Sequence, residues 1–124
     1  MGAIFKWMNL QFDFDLILGS RDQIFAHVER LKTRLEKHSF VHLIELEKLE
    51  TDENIYELSI QTDSIDLLWA LIQVELKDNT KAQSPLTVGT IIVCQGELGW
   101  DDYFLLHHYD SEIHTDTLGR IGRA

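Results

Sequence analysis

The sequence predicts an α+β fold, with one antiparallel sheet and two helices packed on one of its faces. Three observations predict it. Apolar and polar residues alternate with period two in several segments, which marks strands with one buried and one wet face. Two other segments carry a 3.6-residue apolar stripe behind a capping side chain, the pattern of amphipathic helices. These patterns follow one another along the chain as β-α-β-β-α-β. At 124 residues and 44% hydrophobic composition, the chain fits one domain with a self-sufficient core. That domain is expected over residues 1–116, with 117–124 as a flexible tail that holds two glycines and little to bury.

From Met8 to Leu18 the alternation is strict. Met8, Leu10, Phe12, Phe14, Leu16 and Leu18 fall on one parity, and Asn9, Gln11, Asp13 and Asp15 on the other. Gly19 ends this first strand. Ser20 and Gln23 have the spacing of a capping box, which opens a helix over about 21–37. Its stripe is Ile24, Val28, Leu31 and Leu35, and Arg30, Lys32, Arg34 and Lys37 crowd its last turns, where cations suit the helix dipole. A second strand over 40–49 is less regular: Phe40, Ile44 and Leu46 take one parity, Val41 and Leu43 the other. Thr51-Asp52-Glu53-Asn54 reads as a turn into a third strand, 55–62, with Tyr56, Leu58 and Ile60 inward. Asp63 or Ser64 then caps a second helix, about 65–77. Ile65, Leu68, Trp69, Ile72 and Leu76 form its stripe, and Leu67, Leu71 and Val74 widen it. A polar loop, 78–85, leads to a fourth strand over 86–94. After a turn at 96–102, residues 103–109 have room for a fifth strand paired to the fourth. The element order matches the split βαβ arrangement, so the expectation is a ferredoxin-like βαββαβ fold with an extra C-terminal strand.

Charge is the most informative property. Acidic residues outnumber basic ones by 21 to 11, for a net charge of −10. The excess is concentrated in residues 39–118, which hold sixteen acidic and three basic residues, whereas 21–38 holds five basic and three acidic. Nucleic acid and anionic membrane surfaces are disfavoured partners, because their binders present positive patches. A basic protein partner is favoured by charge complementarity. The single cysteine, Cys94, allows no intramolecular disulfide. The opening residues lack a basic region followed by an apolar one, and no apolar run is long enough to span a bilayer. The expected location is therefore the cytoplasm.

Parity places part of the negative charge. If the helices cover the apolar face, Asp13, Asp15, Glu45, Glu47 and Glu57 look outward from the open face, with Asn9, Gln11, Ser59 and Gln61 among them. A second acidic and aromatic patch is Glu97, Trp100, Asp101, Asp102 and Tyr103. A tryptophan and a tyrosine beside paired carboxylates suit a binding hot spot.

Signatures of chemistry are sparse. His107, His108 and His114 lie near Asp110 and Glu112, but adjacent strand histidines point to opposite faces, so no metal site is expected. Cys94 sits in the apolar run Thr90-Ile91-Ile92-Val93, where a cysteine packs as a small hydrophobe. No phosphate-cradling loop or nucleophile elbow is present. Neither catalytic residues nor cofactors are expected.

In size, acidity and lack of catalytic motifs, the chain resembles the small cytosolic immunity proteins of bacterial toxin–immunity pairs, including those of contact-dependent inhibition systems. The resemblance implies a partner that is a basic, nuclease-type toxin. Asp13, Asp15, Glu45, Glu47, Glu57, Asp101 and Asp102 would then mimic phosphates in its groove, with Trp100 and Tyr103 as anchors. A second resemblance, through topology alone, is to small dimeric ferredoxin-like monooxygenases, with His42 and His107 lining a cavity between sheet and helices. A ligand-binding regulatory domain of similar topology is the third alternative.

Overall fold

The computed structural model describes residues 5–76 and 85–116. The loop expected at 78–85, apart from Pro85, and the tail expected at 117–124 lie outside the described residues. Five strands and two α-helices follow in the order β1 (Lys6–Asp13), α1 (Arg21–Glu36), β2 (Val41–Lys48), β3 (Ile55–Thr62), α2 (Ile65–Leu76), β4 (Thr90–Gly96) and β5 (Gly99–His107), with a short 3-10 turn at Pro85–Gly89. The strands form one sheet in the order β2-β3-β1-β4-β5, and every neighbouring pair is antiparallel. The class is α+β.

The core lies on one face of this sheet. Met8, Leu10 and Phe12 of β1, Leu58 and Ile60 of β3, and Ile92 and Cys94 of β4 are fully buried there. They meet Ile24, Val28, Leu31 and Leu35 of α1 and Leu68, Ile72 and Leu76 of α2. Burying side chains of this size contributes about 1.5–3 kcal/mol each. Thr62 is a buried polar side chain that joins three elements. Its hydroxyl donates to the Phe40 carbonyl at 2.5 Å and accepts the Ser64 N–H at 3.0 Å, so the ends of β2 and β3 and the start of α2 are fixed together.

Four sequence expectations need correction. First, β1 ends at Asp13, not Leu18. The Asp13 carboxylate accepts the Asp15 N–H at 3.0 Å, and the Asp13 carbonyl accepts Leu16 N–H, so a turn replaces the ladder. Ile17 is consequently the buried residue, and Leu18 is 85% exposed. Second, β4 starts at Thr90 rather than Leu86, because Pro85–Gly89 winds into the 3-10 turn and the Thr90 hydroxyl bonds the Leu86 carbonyl. Third, β5 begins at Gly99. The stretch expected as a turn narrows to Glu97-Leu98, and Gly99 takes φ +72°, a left-handed conformation that glycine adopts without strain. Fourth, Leu67 and Val74 do not widen the buried stripe of α2; they are 55% and 51% exposed.

The irregular parity of β2 has a structural cause. The β2–β3 register shifts between Val41 and Leu43, so His42 is an inserted residue. Val41 pairs with Thr62 on the core side, and Leu43 pairs with Gln61 on the other.

Candidate functional site

Directly paired residues share a face of the sheet, so the register maps the side away from the helices row by row. One row runs Glu47, Glu57, Gln11, Ile91. The next runs Glu45, Ser59, Asn9, Val93, Leu105. A third holds Leu43, Gln61 and Trp7. The face is therefore divided. Its β2–β3 side is acidic and polar; its β4–β5 side carries Ile91, Val93 and Leu105, all half-buried. That apolar half was legible in β4, whose run Thr90 to Cys94 has no polar parity and so marks a strand shielded on both sides.

Glu47 and Glu57 face each other across β2–β3, and Glu45 lies two residues along β2 on the same face. Like charges in direct opposition destabilise a strand pair. Among the described residues only Glu57 has local relief, from the Gln11 side-chain amide, which donates to it at 3.1 Å. None of the three carboxylates has an ion-pair partner among the described residues, where Lys32–Glu36, Arg34–Glu75 and His42–Asp63 are the pairs that form.

Asp13 keeps its expected place on this face through its pairing with Ile55, but its carboxylate, like that of Asp15, is engaged in local structure. Asp13 ends β1 opposite Ile55 and caps the turn. Asp15 lies past the strand, and its carboxylate accepts the Asn54 side-chain amide at 3.1 Å. Beside them, Arg21 stacks over Phe14 and Tyr56 at 5.5 and 5.6 Å and donates to the Glu53 carbonyl at 2.9 Å. This cation closes the Asp13 end of the sheet, a feature that sequence reasoning missed because its partners are distant in the chain.

The second expected patch is a β-hairpin. Trp100 is 41% and Tyr103 57% exposed, so both aromatics meet solvent rather than the core. Asp101 is exposed and Glu97 lies at the tip. The Asp102 carboxylate accepts the Leu98 N–H at 2.8 Å and so organises the turn. The two patches do not merge: β2 and β5 are opposite edges of the sheet, four strand spacings or about 19 Å apart.

The histidines do not converge either. His42 sits at the β2 irregularity, exposed, with Nε2 3.1 Å from Asp63. His107 is on β5, where Nε2 lies 3.2 Å from the Thr87 carbonyl. His108 Nδ1 accepts the Asp110 N–H, and His114 is exposed. Among the described residues no group of histidine, cysteine and carboxylate side chains could hold a metal ion. Cys94 is fully buried, and burial pushes its thiol up to about 12. No helix of the described residues is long and apolar enough to cross a membrane.

The chain matches no protein-family model, no curated protein and no solved structure.

Proposed function

We propose that this is a protein-binding module that captures a basic partner on the β2–β3 half of its open sheet face. The single observation that carries the proposal is the juxtaposition of Glu45, Glu47 and Glu57, none of them ion-paired among the described residues. A partner that brings lysine or arginine side chains to these carboxylates relieves their mutual repulsion and gains charge-assisted hydrogen bonds. Trp100 and Tyr103 at the far edge would anchor a partner large enough to span the sheet.

Within that reading, the chain acts as an immunity protein that occludes the groove of a cognate nuclease-type toxin. Its net charge of −10 supports this, since a surface that replaces phosphates must be negative. The strand order β2-β3-β1-β4, with one helix between β1 and β2 and another between β3 and β4, supports a ferredoxin-like scaffold with β5 appended.

The test is affinity capture from the source cell with the folded protein, in parallel with the variant Glu45→Lys, Glu47→Lys, Glu57→Lys. The expected result is a basic protein that elutes with salt, is lost with the triple variant, and has a nuclease activity that equimolar wild-type protein abolishes. A captured protein retained equally by both baits would overturn the assignment of the face.

A further inference from the structure

The two edges of the sheet are finished differently. At β5 the backbone is occupied: Asp116 donates its N–H to the Leu105 carbonyl at 2.7 Å, and its carboxylate accepts the Leu105 N–H at 2.9 Å. At β2 nothing comparable is found among the described residues. The Leu49 N–H bonds the Ile55 carbonyl at 2.9 Å, which fixes the phase of the β2–β3 ladder. Hydrogen-bonding direction alternates along an antiparallel strand, so Leu43, Glu45 and Glu47 point their backbone groups at β3. The N–H and C=O groups of Ile44, Leu46 and Lys48 therefore point away from the sheet. An open edge of this length is a template for another strand.

We propose that the outer edge of β2 receives an extended, alternately basic and apolar segment of a partner protein, which adds to the sheet as a sixth, antiparallel strand. The basic character of the segment rests on the function proposed above; the open edge does not. Charge chooses the occupant. A second copy pairing antiparallel about Leu46 would set Glu45 of each chain against Glu47 of the other, and such opposition is destabilising. A basic segment turns the same carboxylates into cross-strand ion pairs. Its alternate residues would lie beside Ile44 and Leu46, which are half-buried and pack against the core, so those positions favour apolar side chains.

The geometry also says which peptide nitrogens matter. In an antiparallel addition, the residues opposite Ile44, Leu46 and Lys48 donate their N–H groups to β2, and these are the apolar ones. The nitrogens of the basic residues point away. The probe is a blocked heptapeptide of alternating valine and lysine, followed by fluorescence anisotropy and by amide exchange of the full chain. Binding should slow exchange at Ile44, Leu46 and Lys48. Methylating the valine nitrogens should weaken binding by roughly tenfold or more, and methylating the lysine nitrogens should not. Lys48→Pro removes an outward donor without touching a β3 bond. It also makes the protein more negative, so a loss of peptide affinity there cannot come from charge; an unchanged melting temperature confirms that the variant is folded. If both methylated peptides bind as the parent does, and Glu47→Lys with Glu57→Lys abolishes binding, the partner is held by charge on the face alone. That overturns the edge inference and leaves the proposed function standing. If no peptide binds and the captured partner ignores the charge reversals, both fail.

Discussion

Cys94 shows how much one residue's surroundings decide. Its thiol is fully buried between Met8 and Phe104, its neighbours across β1 and β5, and desolvation raises its ionisation to about 12 from the ordinary 9.0. A thiol so protected should resist alkylation in the native protein at pH 8 and react fully in denaturant, which a thiol-reagent titration measures. The linkage has a definite sign. Between pH 9 and about 12 the unfolded chain gives up this proton while the folded chain keeps it, so the contribution of Cys94 to stability falls as pH rises through that window. Denaturant melts of the wild type and Cys94→Ala should converge as pH climbs from 9 to 11; a constant gap would mean that the thiol ionises freely in the fold. The apolar run around Cys94 made this burial legible in advance. Asp15 was not legible in the same way. Its parity matches the outward residues of β1, but the neighbouring Asp13 carboxylate offers its N–H a closer partner than any ladder could, and the strand stops.

At the scale of elements, the sequence reads best where local chemistry and pattern agree. Ser20 and Gln23 do form the capping box: Ser20 Oγ accepts the Gln23 N–H at 3.2 Å, and Gln23 returns its side-chain oxygen to the Ser20 N–H at 3.0 Å. Ser20→Ala should therefore cost about 1 kcal/mol, a fall in melting temperature of roughly 4 °C, whereas Ser20→Asp should hold it. Where two patterns compete, the sequence is ambiguous. The mixed parity of β2 is the trace of an inserted residue, and periodicity counts residues without knowing that one has left the ladder. The start of β4 was hidden for a related reason. Leu86 and Val88 are as β-prone as the strand that follows, yet a tight connection is required at Gly89, where a Cβ would lie 2.8 Å from the Asp13 carbonyl and 2.6 Å from Ile17. That close approach links the end of β1 to the entry of β4, and no spacing rule announces it. The exposure of Leu67 and Val74 on α2 is a matter of placement, since a wide apolar stripe does not say which part of it the sheet will cover.

For the whole molecule, the decisive quantity is how a net charge of −10 is arranged. Parity alone was enough to put Glu45, Glu47 and Glu57 on one face, but only the register sets Glu47 against Glu57 and leaves the β2 edge open beside them. Register depends on pairing between distant strands, so it could not be read from any one segment. The arrangement predicts opposite effects on folding and on binding. An ordinary solvated face gains nothing from holding like charges in opposition, and neutralising one should be a small benefit without a penalty. Glu47→Gln removes the opposition and keeps shape and polarity, so it should stabilise the isolated protein by about 0.3 kcal/mol. Added salt should raise the wild-type melting temperature more than that of the variant, because screening weakens a repulsion that only the wild type retains. The same substitution should weaken capture of a basic partner and flatten its salt dependence. Paired thermal melts and binding titrations at low and high salt read both effects. A variant that is less stable, or equally stable with undiminished binding, would show that the carboxylates of this face are already balanced by the solvent around them.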